Sequence, residues 1–187
     1  MKTKKFYSYL IAACCCLCAV FALTSCHPDD EEDDNNGNDH GSKTKIEYIE
    51  FKEPCLIKGA TKDDVMAWMK TNMPEYETDT DYGDIMLMYH HKDNYLGIIG
   101  YNFNNNGLFQ ASTSGPFQVE KVFDFLDKKY GERKEDVTTV TNGVKSELYT
   151  YPCNNSSIGG ITVMHQYGLY TLTNTYYEKV SVGYVFY

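Results

Sequence analysis

The sequence predicts an α+β domain, an antiparallel sheet with two helices on one face, over residues 44–187. Two stretches carry apolar residues at the three- and four-residue spacing of a helix. Much of the remaining chain consists of short runs in which β-branched and aromatic residues alternate with polar ones, which is typical of antiparallel strands. The order of elements in the second half repeats the order in the first. This repetition predicts a tandem α-β-β-β repeat.

The first half begins with a strand and a helix. The run KIEYIEF (45–51) mixes charged residues with β-branched and aromatic ones and predicts a strand. In the stretch 59–74, Thr61 and Asp64 have the spacing of a capping box, and Pro74 prevents continuation of the helix. The apolar stripe of this helix consists of Val65, Trp68, Met69 and Met73. Because Trp68 belongs to that stripe, we expect it in the core rather than on a binding surface.

The second helix is predicted over 115–131, with Pro116 near its start and Gly131 as its C-terminal cap. Its apolar stripe consists of Val122, Phe125, Leu126 and Tyr130. Asn106-Gly107 predicts a hairpin in the first half. The predicted strands are 84–91, 94–103 and 108–113 before this helix, and 145–152, 158–166, 169–177 and 179–187 after it.

Residue matches between the halves support the predicted repeat. At an offset of 57 residues, the triplet Val65, Trp68 and Met69 aligns with Val122, Phe125 and Leu126. The repeat halves are about 58–113 and 115–175. This element order resembles the β-lactamase-inhibitor-protein-like fold, which is also built from tandem helix-plus-sheet repeats and occurs in bacterial envelope proteins. The resemblance rests on element order, so it implies no functional residue.

The first 25 residues predict an export signal. Lys2, Lys4 and Lys5 form a basic head, and the apolar run from Leu10 to Leu23 is too short to span a bilayer comfortably. The sequence Leu23-Thr24-Ser25-Cys26 resembles the bacterial lipobox. That resemblance implies that Cys26 receives diacylglycerol, becomes the new amino terminus and is acylated, which anchors the protein in a membrane. The alternative is ordinary signal cleavage with Cys26 left free.

Residues 26–43 predict a disordered acidic tether without a large apolar residue. An acidic run directly behind the lipidated cysteine resembles the lipoprotein export signal of Bacteroidetes, which sends lipoproteins to the cell surface. The resemblance therefore implies an outer-membrane lipoprotein that faces outward. A simple solvated spacer, with the domain in the periplasm, is the alternative.

The charge of the domain excludes one class of partner. Residues 44–187 contain 13 basic and 19 acidic residues, a net charge of −6. Nucleic-acid binding requires clustered Lys and Arg at phosphates, so we expect no nucleic-acid partner. The 144 residues of this region suffice for one domain with a hydrophobic core.

Cys55 and Cys153 are the cysteines that remain after Cys26. In an oxidising envelope they are candidates for a disulfide, which would stabilise the fold by roughly 4 kcal/mol in the chain-entropy model. Two buried free thiols that act as small apolar residues are an equally good interpretation.

No catalytic, metal or cofactor site is predicted. His27 and His40 lie in the tether, and His90 and His91 are adjacent on a predicted strand, where their side chains point to opposite faces. No HExxH, paired CxxC or GxSxG motif is present, and His165 has no ligand-spaced companion in the sequence. Polar histidines at strand ends are the favoured interpretation.

Tyrosine is the residue that stands out, with 17 copies in the chain. Tyr149 and Tyr151 alternate on one predicted strand, and Tyr95 and Tyr101 lie on another. Tyrosine combines a rigid apolar ring with a polar tip, which suits protein interfaces and sugar stacking, so these four are the candidate binding residues. Tyrosine also fits half-buried sheet surfaces that bind nothing, which is the expectation for most of them.

These observations favour a surface-anchored, non-enzymatic lipoprotein whose domain binds an envelope protein partner through an uncovered sheet face, or acts as an accessory subunit in the envelope. A carbohydrate-binding accessory protein that uses exposed tyrosines is the second hypothesis. Exposed coplanar rings would favour it, and buried rings would count against it. A hydrolase is the third, and it would require a pocket with two convergent acids or a histidine beside a nucleophile.

Overall fold

Eight antiparallel strands in one open sheet dominate the computed structural model, which describes residues 46–153, 157–171 and 175–186. Strands hold 54% of the described residues and helices 17%. The described residues belong to one compact unit. The predicted signal (1–25) and tether (26–43) lie outside the described residues.

The sheet has the strand order β1-β2-β3-β4-β8-β7-β6-β5, so β4 and β8 pair at its centre and β1 and β5 form its edges. Two helices accompany it, α1 (Lys62–Asn72) before β1 and α2 (Val119–Tyr130) between β4 and β5. The strands are β1 (Tyr76–Asp81), β2 (Met86–His91), β3 (Asn94–Asn104), β4 (Gly107–Gly115), β5 (Lys134–Thr141), β6 (Val144–Tyr151), β7 (Ile158–Tyr170) and β8 (Thr175–Phe186).

Helix α1 has the predicted capping box. The Thr61 backbone N–H donates to Asp64 Oδ2 at 2.9 Å, and the Asp64 N–H donates to Thr61 Oγ1 at 3.2 Å. These bonds satisfy donors that have no partner inside the helix. Val65 and Met69 are buried, and Trp68 is half-buried and packs against the core.

Helix α2 buries Val119, Val122, Phe123 and Leu126. Of its predicted stripe, Val122 and Leu126 are confirmed as buried, whereas Phe125 is exposed. The helix ends at Gly131, whose φ of 92° lies in the left-handed region and whose N–H donates to Asp127 O at 3.0 Å.

Both helices contact the same face of the sheet, which we call the covered face. Tyr101 Oη donates to Met69 Sδ of α1 at 3.0 Å, and the ring centroids of Tyr149 and Phe123 of α2 are 4.8 Å apart. The segment before α1 also lies here, since Cys55 N–H donates to Tyr101 Oη at 3.0 Å. The core therefore fills the space between the covered face and the helices. Its covered-face members include Leu87, Tyr89, Ile99, Tyr101, Ala111, Tyr151, Ile161, Val163, Val182 and Tyr184.

The predicted α+β class with an α-β-β-β repeat is wrong. The domain consists mainly of an open eight-stranded sheet, and each helix is followed by four strands. The strands missing from the prediction are the edge strands β1 and β5. Most residues of β1 and all residues of β5 are exposed, so their sequences YETDTD and KEDVTTVT lack the apolar alternation that marks a half-buried strand.

Two further elements differ from the prediction. Three strands were expected between 158 and 187, but β7 and β8 are two long strands that pair from Ile158↔Phe186 to Tyr170↔Thr175. Gly168 lies within β7 at a φ of 139° and does not end it. Of the stretch 45–51 that was predicted as a strand, residues 46–51 belong to no strand, although Ile49 N–H donates to Pro116 O at 3.0 Å.

Candidate functional site

The second face of the sheet, which we call the open face, lies opposite both described helices. Its central row runs across four strands through Gly100, Ser112, Gly183 and Thr162, which are cross-strand partners. A Cβ added at Gly100 would lie 3.2 Å from Ser112 Oγ, and one at Gly183 would lie 3.2 Å from Thr162 Oγ1. These small side chains leave little surface projecting from the centre of the open face, where Thr162 is 5% exposed.

Neighbouring rows of the open face are mostly polar, and they include one basic residue on β8, Lys179, opposite Gln166. Ser114 Oγ and Ser181 Oγ lie 2.8 Å apart across β4 and β8. On either side, Gln166 Nε2 donates to Ser146 Oγ at 3.2 Å, and Asn102 Nδ2 donates to Gln110 Oε1 at 3.3 Å. Methionines and Leu148 flank these groups. The central residues are Met88, Gly100, Asn102, Gln110, Ser112, Ser114, Ser146, Leu148, Thr162, Met164, Gln166, Lys179, Ser181, Gly183 and Val185.

A second candidate lies on the covered face, where β6, β7 and β8 bring Glu147, His165 and Glu178 together. We call these residues the acid–histidine cluster. His165 Nδ1 is 3.6 Å from Glu147 Oε2, and His165 Nε2 is 3.4 Å from Glu178 Oε1. The side chain of Glu147 is 13% exposed, that of His165 is 10% exposed and that of Glu178 is 12% exposed. Two largely buried carboxylates therefore flank one imidazole ring.

Tyrosines and a lysine surround the acid–histidine cluster. Tyr149 Oη donates to Glu147 Oε2 at 2.9 Å, Tyr167 Oη donates to Oε1 at 3.2 Å, and Lys145 Nζ pairs with the same carboxylate. Tyr48 Oη donates to Glu178 Oε2 at 2.6 Å. The cluster thus connects three strands to the segment that precedes α1.

These contacts shift the acidity of their members. Burial alone would raise the pKa of Glu147, but hydrogen bonds from Lys145, Tyr149 and Tyr167 outweigh burial and hold that pKa below its usual value. Burial and the bond to Glu147 raise the pKa of Tyr149 to about 12. The bond to Glu178, followed by burial, raises the pKa of Tyr48 to about 12. Tyr48 and Tyr149 therefore stay protonated donors and Glu147 stays an anion at neutral pH.

The acid–histidine cluster is arranged as a structural network. Both Glu147 oxygens accept bonds from neighbouring side chains, which leaves this carboxylate poorly placed as a general base. A groove of about 440 Å³ lies nearby, between residues 48–51 and the start of α2, and Tyr48 is part of its wall. The cluster acids do not line this groove, so the pocket with two convergent acids that a hydrolase requires is not formed there.

We expect Glu147→Gln to lower the free energy of unfolding by about 1–2 kcal/mol at pH 7, because a charged acceptor is lost. The folded-state pKa of Glu147 lies below its ordinary value of 4.5. Its charge therefore stabilises the fold above about pH 4.5, and this contribution is lost as pH falls through the folded-state pKa. The melting temperatures of the two proteins should converge when measured from pH 7 down to pH 3.

Tyr149→Phe is the matched variant, because it removes one donor to Glu147 and keeps the ring against Phe123. It should show the same pH trend with a smaller amplitude. A Glu147→Gln deficit that stays constant over the whole pH range would contradict the electrostatic role of this carboxylate.

The structure separates the four candidate binding tyrosines. Tyr101 is fully buried beneath α1, and Tyr151 is buried with its Oη donating to Asp127 Oδ1 of α2 at 3.0 Å. Burial raises the pKa of both. Their prediction as binding residues is therefore wrong, since neither ring reaches the surface.

Tyr149 and Tyr95 have different surroundings. Tyr149 belongs to the network around Glu147 and packs edge-on against Phe123. Tyr95 is 72% exposed and stacks flat on His90 at 4.5 Å. The register between β2 and β3 shifts at His90/His91, which places Tyr95 on the face opposite Tyr101. The four rings form no shared platform, which counts against sugar stacking on them.

The histidines of the domain are held by neighbours. His90 Nε2 is 2.9 Å from Glu77 Oε1, while His91 packs edge-on against Tyr76 at 5.1 Å. Within the described ranges, no group of three or more His, Cys, Asp or Glu side chains could hold a metal ion. Cys26, His27 and His40 lie outside the described residues.

Cys55 and Cys153 are both free thiols in the structure. Cys55 is buried against β3 and Cys153 follows β6, and β4, β8 and β7 separate these two strands. Burial raises the pKa of both thiols. Of the two interpretations left open by the sequence, the structure has free thiols, with Cys55 buried and Cys153 half-buried.

Sequence reasoning missed Glu147 and Glu178. Alternation along β6 places Glu147 and Tyr149 on one face, and alternation along β7 does the same for His165 and Tyr167. The missing signal is the register, Glu147↔His165 and Tyr167↔Glu178, which joins three strands.

Comparisons of the chain with protein-family models, with curated proteins and with solved structures found no match. In the part of the chain that the structure describes, neither helix is long and apolar enough to cross a membrane. The residues themselves are therefore the basis for a functional assignment.

Proposed function

We propose that this chain is a non-enzymatic lipoprotein of the outer membrane, anchored through Cys26 and facing the cell surface, whose domain binds an envelope protein through the open face. The basic head, the apolar run, Cys26 and the acids behind it support the anchor and the address. The open face supports the binding role, and it is the observation on which the proposal rests.

The chemistry of the open face suits a protein partner. Its central residues carry one basic group, Lys179, and no aromatic ring, so they provide neither a cluster of cations for phosphates nor platforms for sugars. The cores of protein interfaces are depleted in charge and enriched in methionine, and the half-buried Met164 flanks the small residues, whereas Met88 is 7% exposed. Methionine also adapts to irregular partner surfaces.

The open face has the dimensions of an interface. Eight strands enclose seven spacings of about 4.8 Å, which makes the sheet about 34 Å wide. About six residues along each central strand add about 20 Å in the other direction. The resulting area is close to the roughly 800 Å² per partner of a standard protein interface.

The test is crosslinking in intact cells, followed by affinity capture of the full chain and quantitative mass spectrometry. Ser112→Arg places a large charge at the centre of the open face. It should reduce recovery of the crosslinked partner at least about ten-fold, which corresponds to about 1.4 kcal/mol of binding free energy.

Thr71→Arg is the matched control, since Thr71 is exposed on α1, on the other side of the sheet. It should leave recovery unchanged, and circular dichroism should show that both variants are folded. Equal recovery with wild type and Ser112→Arg would mean that the open face does not bind the partner.

A further inference from the structure

The two edges of the sheet differ in how they are protected. Edge strand β1 carries Glu77, Asp79 and Asp81, and its register shifts between Thr78 and Thr80. Charges and bulges of this kind prevent another strand from pairing with an edge. β1 therefore has the features of an edge that stays unpaired.

The opposite edge, β5, lacks this protection over its second half. Its irregularity lies between Glu135 and Val137, and from Val137 to Thr141 the pairing with β6 is regular. These five residues, VTTVT, are uncharged and β-branched. Val137 is 48% exposed and Val140 is 69% exposed. An exposed, uncharged edge of this composition is a template for strand addition.

The hairpin geometry determines which backbone groups β5 presents outward. Asn142 and Gly143 have φ values of 50° and 83°, which is the type I′ pattern of a two-residue loop. Thr141 and Val144 flank that loop and form a hydrogen-bonded pair, so Val140 and Thr138 are non-hydrogen-bonded positions toward β6. The N–H and C=O groups of Thr138 and Val140 therefore point away from the sheet.

We propose that β5 is a self-association edge, on which β5 of a second copy of this chain pairs antiparallel with Thr139 at the two-fold axis. In this register Thr138 of each copy faces Val140 of the other. Each of these two pairs exchanges two backbone hydrogen bonds, which uses all four outward groups of both residues. The two sheets then continue as one sheet across the axis.

The side chains of β5 are complementary to themselves in this register. Thr139 meets its own copy, and Val137 meets Thr141, so every directly opposed pair between 137 and 141 is β-branched and uncharged. This complementarity favours a second copy of the chain as the partner, because no two like charges lie opposite each other between 137 and 141 in this register. The contact is a single strand pair, so we expect a weak, exchanging dimer.

Disulfide trapping tests the proposal in the full chain, purified in mild detergent under oxidising conditions. Opposed residues of a non-hydrogen-bonded antiparallel pair have Cα atoms about 4.5 Å apart, which suits a disulfide. Thr139→Cys should therefore convert most of the chain to a covalent dimer that dithiothreitol reverses. Thr78→Cys, at the exposed protected edge, and the wild type with its native thiols are the matched controls and should remain monomeric.

Val140→Pro in the Thr139→Cys background separates pairing from chance collision. Proline removes the outward N–H of Val140 and no β5–β6 bond, so the fold should persist while most of the covalent dimer is lost. Thr139→Cys chains that stay monomeric like the controls would overturn the proposal. So would a Thr139→Cys crosslink to a different protein, or a dimer that survives Val140→Pro undiminished.

Discussion

Replacing Cys26 with serine is expected to release the whole protein from the membrane fraction. In the proposed lipidation the Cys26 thiol is the nucleophile that accepts diacylglycerol, and a hydroxyl at this position does not enter that reaction. Each buried CH₂ contributes about 0.8 kcal/mol, so the loss of several acyl chains removes essentially all affinity for the bilayer. Ultracentrifugation of lysed cells and the intact mass of the purified chain measure the two consequences directly.

Cys18→Ser is the matched control, because Cys18 lies in the same apolar run but ahead of the predicted cleavage point. It should leave anchoring and mass unchanged. Protease treatment of intact cells tests whether the domain faces outward, since a lipoprotein on the cell surface is digested without lysis. Wild-type protein that lacks the mass of the lipid would point instead to ordinary cleavage with a free Cys26.

The helices were the most predictable part of the fold. Their apolar stripes have the period of a helix, and their ends carry local signals, Thr61 with Asp64 for α1 and Gly131 for α2. Such signals depend on neighbours within about four residues, so the sequence carries them whole. Strands β2, β3, β4 and β6 were predicted close to their observed bounds, because each is a short run that contains apolar or aromatic residues.

The edges of the sheet were not predictable by the same reasoning. A strand with solvent on both faces needs no apolar residue, and β5 has none that is buried. The pairing of β5 depends on backbone bonds to β6, which leave little trace in composition. This omission of β1 and β5 concealed the size of the sheet.

The candidate site depended on long-range register, which local patterns do not encode. Alternation correctly grouped Tyr149 with Tyr151, but whether α2 or solvent covers that face depends on packing. A register shift moved Tyr95 to the face opposite Tyr101. The acid–histidine cluster requires a specific register between β6, β7 and β8, so no single stretch of sequence predicts it.

We expect Gly107→Ala to be among the most destabilising single-methyl changes in the domain. Gly107 has a φ of 90°, which costs a residue with a side chain about 1–2 kcal/mol. Its added Cβ would lie 2.3 Å from Gly59 O, so backbone would have to move. That movement endangers the bonds from Gly59 N–H to Leu108 O and from Leu108 N–H to Ala60 O, at 3.1 and 2.9 Å.

Each of those bonds contributes about 0.5–1.5 kcal/mol, so the free energy of unfolding should fall by about 2–5 kcal/mol in total. Gly83→Ala separates the two causes, because Gly83 has a positive φ of 60° and nothing within 4 Å of its added Cβ. It should lose the dihedral contribution alone, about 1–2 kcal/mol. Urea unfolding of both variants measures the difference, which is the energy of the contact between the β3–β4 hairpin and the loop before α1. Equal losses of unfolding free energy in the two variants would mean that the loop before α1 moves aside without losing stability.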